Sequence, residues 1–281
     1  MIMHKKLSVF ISFDIEGISG VSSWHEVSQD SPLLSRIRKL ATEEVNTAIK
    51  GIRNARKDVK EIVVCDAHAQ GENLIVERLE KGVHIVKGSP RNYYMIEGIN
   101  REFNLLFFIG YHAMAGTKNA LMDHTYSSSS IYGIKINDKY VGETEINAAV
   151  AGYYGVPLGL VSGDDFLIKE VRRFFGPHVE TVITKYGISR FAAKCRHPHD
   201  VHEEIKAKAG RAVKKLKTLK PFSFKKPIHA EFDLMNSLIG DVVEPVPGLK
   251  RISGRKIHFK AKDILEFYRI MRLVCSLASS I

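Results

Sequence analysis

Short apolar runs in the first part of the chain end repeatedly in an acidic residue or a histidine. Leu7-Ser-Val-Phe-Ile-Ser-Phe13 leads into Asp14-Ile-Glu16-Gly17, Glu61-Ile-Val-Val-Cys65 into Asp66-Ala-His68, and Asn104-Leu-Leu-Phe-Phe-Ile-Gly-Tyr111 into His112. Runs of this length, rich in β-branched and aromatic residues, predict strands. Between the first two, Leu33, Leu34, Ile37, Leu40, Val45, Ala48, Ile49 and Ile52 recur at helical spacing. Residues 32–54 therefore read as a helix and the unit as β-α-β, which implies parallel strands.

The remaining pattern extends this alternation. Residues 73–80 and 93–99 predict short helices or turns, and 83–87 a strand. In the middle of the chain, 131–136 and 139–141 predict two strands joined tightly through Asn137-Asp138, a pair that tolerates left-handed backbone. Glu143 then opens a helix to Tyr154 with Gly155 at its end, 157–162 is a further strand, and Asp165 is the expected cap of the next helix. Strands at 179–184, 228–234 and 256–261, a helix at 200–219 and a final helix at 264–277 capped by Asp263 complete the reading. The expected fold class is α/β, a mostly parallel sheet flanked by helices with a smaller C-terminal α+β lobe. Residues 1–184 form the catalytic part and 185–281 a scaffolding or oligomerisation lobe, either separate or continuous with the first, since no Gly-, Ser- or Pro-rich linker marks a boundary.

If the three runs are parallel strands, their carboxyl ends lie along one edge, where ligands bind in open α/β sheets. Asp14, Glu16, His68 and His112 should then converge. Side chains alternate faces in extended backbone, so Asp14 and Glu16 point the same way while Ile15 points to the opposite layer. Two carboxylates on one face repel unless a cation lies between them. Asp14 alone could cap a turn, but histidines at equivalent strand ends favour a metal site.

Composition adds compartment and partner class. The chain has 281 residues, 44% hydrophobic, enough to bury a substantial core. Its cysteines, Cys65, Cys195 and Cys275, are odd in number and unpaired in spacing, which fits a reducing cytoplasm. Lys5 and Lys6 before an apolar run faintly imitate a signal peptide, but Asp14 breaks the run and no cleavage site follows. No apolar stretch approaches the ~20 residues needed to span a bilayer, so no membrane partner is expected. A net charge of +11 is concentrated at residues 206–226, whose spacing suggests a solvated helix face. Base-stacking aromatics and base-reading motifs do not accompany it, so a nucleic-acid partner is not expected.

Phe13-Asp-Ile-Glu-Gly-Ile-Ser-Gly20, Asp66-Ala-His68, Gly110-Tyr-His112-Ala, Met122-Asp-His124, Val141-Gly-Glu143 with Asn147 and Gly152-Tyr-Tyr, and Gly163-Asp-Asp165 occur in that order. In this the chain resembles the D-aminopeptidase family of dinuclear zinc metallopeptidases over almost its whole length, most densely from Val9 to Asp165. The resemblance implies that Asp14, Glu16, His68, His112 and Glu143 bind two zinc ions and that His124 acts directly in catalysis. It further implies a short-peptide or aminoacyl-amide substrate, D-residues included, and self-association into a closed double ring, a decamer. The chain departs from the family pattern by one extra residue between His112 and His124, within 116–120. Without the resemblance, His124 reads as a surface histidine beside Asp123.

Five oxygen and nitrogen donors exceed what one catalytic zinc with an open position uses, and suit two ions. A carboxylate shared between them, for which Asp14 is the best placed, could hold them ~3.5–4 Å apart. His197, His199 and His202 imitate a ligand cluster, but Pro198 and Asp200 mark an ordinary helix entry. Asp66 reads as a partner orienting His68 or as a turn residue, Asp164 as a receptor for a substrate amine or as part of the capping loop with Asp165, and Asn147, at i+4, as the residue sharing Glu143's face. Two rival functions remain: another metal-dependent amidohydrolase, or a non-enzymatic basic binding module.

Overall fold

The computed structural model describes residues 6–281, which leaves Lys5 outside the described residues. In chain order the elements are β1 (Leu7–Phe13), α1 (Trp24–Val27), α2 (Leu34–Ala55), β2 (Val59–Asp66), β3 (His84–Val86), β4 (Leu105–Tyr111), β5 (Ile131–Ile136), β6 (Lys139–Val141), α3 (Glu143–Tyr153), β7 (Leu158–Asp164) and α4 (Asp165–Phe175). They continue with β8 (Glu180–Ser189), β9 (Ala192–Cys195), α5 (Pro198–Lys214), β10 (Ile228–Leu234), α6 (Ser237–Val243), β11 (Lys250–Arg251), β12 (Lys256–Ala261) and α7 (Ile264–Ala278).

A seven-stranded sheet runs β3-β2-β1-β4-β7-β8-β9, parallel throughout except for the last strand. A five-stranded antiparallel sheet runs β11-β12-β10-β5-β6. The three strands that end in acid or histidine lie side by side as β2-β1-β4, so their carboxyl ends share one edge. β1 is buried on both faces, which is why it reads as a continuous apolar run rather than an alternating one. Leu7, Val9, Ile11 and Phe13 face the layer made by α2 and α5, while Phe10 faces the core shared with α3, α7 and the second sheet.

The helical spacing of α2 buries Ile37, Ala41, Val45, Ala48, Ile49 and Ile52, each large aliphatic side chain contributing ~1.5–3 kcal/mol. Its partner α5 comes from the other half of the chain and presents Val201, Ile205 and Ala209. A Cβ at Gly51 would lie 2.4 Å from the Lys206 carbonyl oxygen, so glycine there sets how closely the two helices approach.

The α/β class and mostly parallel sheet are as the pattern predicts. The hairpin β5–β6 turns through Asn137 and Asp138 at φ +50° and +67°. Three details differ. β8 runs on to Ser189 and folds back as β9, an extension hidden by the polar Lys185, Gly187 and Ser189. Asp164, not Asp165, caps α4, accepting from the Leu167 backbone N–H at 2.7 Å, because it ends β7 in extended conformation. α6 and β11 carry too few periodic residues to register as elements. The expected boundary at 184/185 falls inside β8. The second sheet takes β5 and β6 from before it, and α5 from after it packs on the first sheet.

The loop after β1 crosses the end of β4 at van der Waals contact. Gly17 N–H donates to the Gly110 carbonyl at 2.7 Å, and a Cβ on Gly17 would lie 1.8 Å from the Tyr111 carbonyl oxygen, with backbone rather than a yielding side chain in the way. Gly17→Ala is therefore expected to destabilise the metal-free protein by ~2–3 kcal/mol through overpacking, read as a lower urea midpoint. An unchanged midpoint would mean that the crossing is looser than this.

Candidate metal centre

Asp14 and Glu16 leave β1 on the same face, with Ile15 between them wholly buried in the opposite layer. His68 follows β2, His112 follows β4, and Glu143 is the first residue of α3. His124 arrives from the loop between β4 and β5. All six converge as two triples, Asp14 with Glu16 and His68, and His112 with His124 and Glu143, each with ligand atoms within 4.8 Å of one another, and all but His112 line one adjoining cavity. The adjoining cavity, about 260 Å³, is bounded by Trp24, Tyr94, Tyr126 and Ser127 as well as by the cluster.

The donors aim at common points rather than at one another. His68 Nδ1 lies 2.8 Å from Glu16 Oε2, yet Glu16 Oε2 has no hydrogen bond despite its burial. His112 Nε2 is 3.5 Å from Asp14 Oδ2 and 3.4 Å from Glu143 Oε2 and is likewise buried without a partner. Buried polar atoms left this way are costly unless something else occupies the space between them. A cation beside each would satisfy it, and mixed carboxylate and histidine donor sets suit zinc-type ions. Asp14 spans the cluster, with Oδ1 3.5 Å from His68 Nδ1 and Oδ2 3.5 Å from His112 Nε2.

Two of the three histidines are held from behind. His112 Nδ1 is 3.0 Å from the Ala113 carbonyl oxygen and His124 Nδ1 is 2.8 Å from that of Met122, contacts that select the tautomer with its Nε2 lone pair toward the cluster. The two rings stack, centroids 4.0 Å apart, and the Trp24 edge meets His124 at 5.8 Å. Glu143 Oε1 accepts from the Tyr126 backbone N–H at 2.6 Å.

Burial and the neighbouring Glu16 push the Asp14 carboxyl up to about 8. Burial also opposes ionised Glu16 and Glu143, but the imidazoles outweigh it and hold both below the ordinary carboxylate range. The same pairing overrides the burial of His68, raised to about 10, and lifts His112 well above its usual value. His124 goes the other way, lowered by burial and by His112. Without a cation, protons on His68 and His112 balance Glu16 and Glu143 while Asp14 keeps its own; with one, all three protons must leave.

The backbone beneath the cluster rests on residues that the pattern of the chain did not single out. Lys185 is fully buried, and its ammonium donates to the carbonyls of Glu16, Ile18 and Val21 at 2.5, 2.9 and 2.5 Å. Three N–H bonds meet three carbonyls, which fixes the loop that carries Glu16. Glu44 of α2 accepts from the Ser19 N–H and hydroxyl at 2.7 and 2.6 Å, and the Thr184 hydroxyl donates to the Gly17 carbonyl at 2.6 Å. A lysine in a strand and a glutamate in an amphipathic helix read as solvent-facing residues; their only signal was sitting at apolar-face positions.

Asp66 serves as the turn residue rather than the imidazole's partner, since its carboxylate accepts from the Asn73 and Leu74 backbone N–H groups at 2.6 and 2.8 Å. Asn147 is buried and accepts from the Tyr126 hydroxyl at 3.0 Å. Its amide donates to the Tyr111 oxygen at 3.2 Å. Asp164 accepts from Leu121 N–H in addition to its capping role. His197 caps α5 and accepts from His199 N–H. Among the described residues the candidate metal groups include none of His197, His199 and His202.

A family model described as D-aminopeptidase matches residues 7–273. The chain is 33% identical to the D-aminopeptidase of Bacillus subtilis (strain 168) over 97% of its own length and 98% of that protein's. Its fold superposes with a TM-score of 0.92 on the solved structure of the Zn-dependent D-aminopeptidase DppA from Bacillus subtilis, described as a self-compartmentalizing protease. That match has 32% identity and covers 98% of this chain and 99% of that one.

Two measurements test the electrostatics of the cluster. Zinc added to metal-free protein at neutral pH is expected to release roughly three protons per chain, from Asp14, His68 and His112, and to bind more weakly as pH falls. Calorimetry in buffers of different ionisation enthalpy reads the count, and zero release would contradict the raised values. Lys185→Met is expected to weaken zinc binding ~10–100-fold while helical circular dichroism persists. Unchanged affinity in a chelator competition would show that the loop needs no such anchor.

Proposed function

The chain belongs to the D-aminopeptidase family, and from that membership we propose that it is a dinuclear zinc aminopeptidase hydrolysing the N-terminal amide bond of short peptides, D-residue peptides among them. The observation that supports this best is the pair of orphaned donors, Glu16 Oε2 and His112 Nε2, among six converging acid and histidine side chains. Asp14, Glu16 and His68 would hold one zinc and Asp14, His112 and Glu143 the other, with Asp14 shared between them.

Zinc bound here would supply a nucleophile at neutral pH, by lowering the pKa of coordinated water to ~7, and polarise the amide carbonyl. His124 Nε2 faces the cavity, 3.9 Å from Glu16 Oε1 and 3.7 Å from Glu143 Oε1. Its lowered pKa favours the neutral imidazole, which can accept a proton at Nε2 from the attacking water and pass it to the departing amine nitrogen. The Met122 carbonyl holds Nδ1–H throughout and keeps the ring aimed. Trp24, Tyr94 and Tyr126 wall the cavity and would limit water around the scissile bond.

The self-compartmentalizing description of the DppA structure supports a homo-oligomer, which we extend to a closed decameric ring with the sites facing inward. The apolar stripe of α7 is already used as core: Ile264, Phe267, Tyr268, Met271 and Val274 are buried within the subunit. Any ring contact therefore uses other surfaces. Among the described residues no helix is long and apolar enough to cross a membrane, and three free cysteines are consistent with a cytoplasmic site of action.

Purified protein is expected to hold about two zinc ions per chain, and the Asp14→Ala/His112→Ala double variant to lose them in elemental analysis. Metal retained in that variant would refute the ligand set. His124→Ala is expected to keep its metal and lose ~10²–10⁴ in kcat; metal lost in step with activity would make His124 a ligand instead. Paired D- and L-aminoacyl amides read stereochemistry directly, and light scattering is expected to give a mass many times 31.6 kDa. A fully active monomer would refute the compartment.

A further inference from the structure

A second cavity, about 400 Å³, lies behind the wall of the first and shares Tyr94, Tyr126 and Ser127 with it. Gln70, Ser89, Arg272, Ser276 and Ser279 complete its polar lining, over Met271 of α7. Nothing in the reaction at the metal cluster uses these residues.

Arg272 is half-buried, and no hydrogen bond or ion pair to another described residue holds its guanidinium. It lies over the face of Tyr94, 5.7 Å from the ring centroid. Arg91 approaches the same ring at 5.7 Å, and its Nε and Nη2 are buried without partners. The wall between the two cavities thus has carboxylates on one side and cationic groups around Tyr94. A guanidinium fork left unpaired in a concave, partly desolvated place matches a carboxylate in bidentate geometry. Arg272 itself is set back from the end of α7 at Ala278, while Ser276 and Ser279 bring the cavity to the last turn, where the helix dipole opposes an anion and the guanidinium must outweigh it.

We propose that this second cavity binds the C-terminal carboxylate of the peptide whose first amide bond lies at the metal cluster, with Arg272 as its receptor. The inference rests on the aminopeptidase reading given above. A zwitterionic short peptide complements this layout, its scissile end among the acids and histidines and its carboxylate at the arginine. An extended chain advances only ~3.3–3.6 Å per residue, so a fixed arginine also selects length. Arg272 is on this reading a specificity-determining residue rather than a catalytic one.

The test uses full-length zinc-loaded protein with di- and tripeptides, each as the free acid and as the C-terminal amide. Wild type is expected to prefer the acid of one length. In Arg272→Met the acid-over-amide ratio in kcat/KM falls ~10–100-fold, mainly through KM, the range for a charge-assisted bond. Arg272→Lys, which keeps the charge without the fork, recovers part of it. An unchanged ratio in Arg272→Met overturns the proposal. So does an equal loss on acid and amide, or a changed oligomer mass, because either would make Arg272 structural. Calorimetric binding of the same acid and amide separates the two readings: Arg272-dependent preference for the acid without hydrolysis upholds the subsite while the aminopeptidase reading falls, and no such preference overturns the subsite whatever the turnover.

Discussion

Three carboxylates and three imidazoles occupy one largely buried space, and the surrounding structure is arranged around the cost of removing that charge from water. Asp14, Glu16 and Glu143 are each nearly inaccessible. Ionised carboxylates in such a place require either a cation or protonated partners. The raised His68 and His112 and the lowered Glu16 and Glu143 express the second solution, while the unpartnered Glu16 Oε2 and His112 Nε2 show geometry suited to the first. These features belong together, because donors aimed at a common point cannot also hydrogen-bond well to each other.

Holding that geometry requires backbone that does not yield. The loop carrying Glu16 is pinned from below by Lys185, from the side by Glu44 through Ser19, and against β4 through the Gly17 contact. Each anchor comes from a different part of the chain, so the loop is positioned only when β1, β4, β8 and α2 are assembled. Behind His112 and Glu143, Tyr111, Asn147 and Tyr126 form a continuous polar chain that ends at Ser12, whose hydroxyl is 2.6 Å from Tyr111. A fully satisfied buried network of this kind rigidifies its surroundings.

Tyr126 joins these layers to the cavities. Its backbone N–H binds Glu143, its hydroxyl binds Asn147, and its ring packs near Tyr94 and Tyr268. The wall between the metal cluster and the second cavity is therefore tied to a candidate ligand, and a peptide lying across it would meet a surface as fixed as the metal site itself.

From the chain alone, the strand-and-helix alternation, the parallel arrangement of β1, β2 and β4, and the convergence of Asp14, Glu16, His68 and His112 were all readable. They follow from local periodicity and from one rule about where strands end. Glu143 and His124 were legible only through resemblance, because a helix start and an irregular loop have no periodicity that says where they point. The roles of Lys185, Glu44 and Arg272 were not legible, nor was the fold-back of β8 into β9. A charged side chain looks the same in sequence whether it faces water, three carbonyls or an empty pocket. Local sequence determined which residues leave the sheet at its functional edge. Only tertiary structure decided what holds them there and what lies beyond them, since contacts across 160 or more residues, such as Lys185 with Glu16, depend on topology rather than spacing.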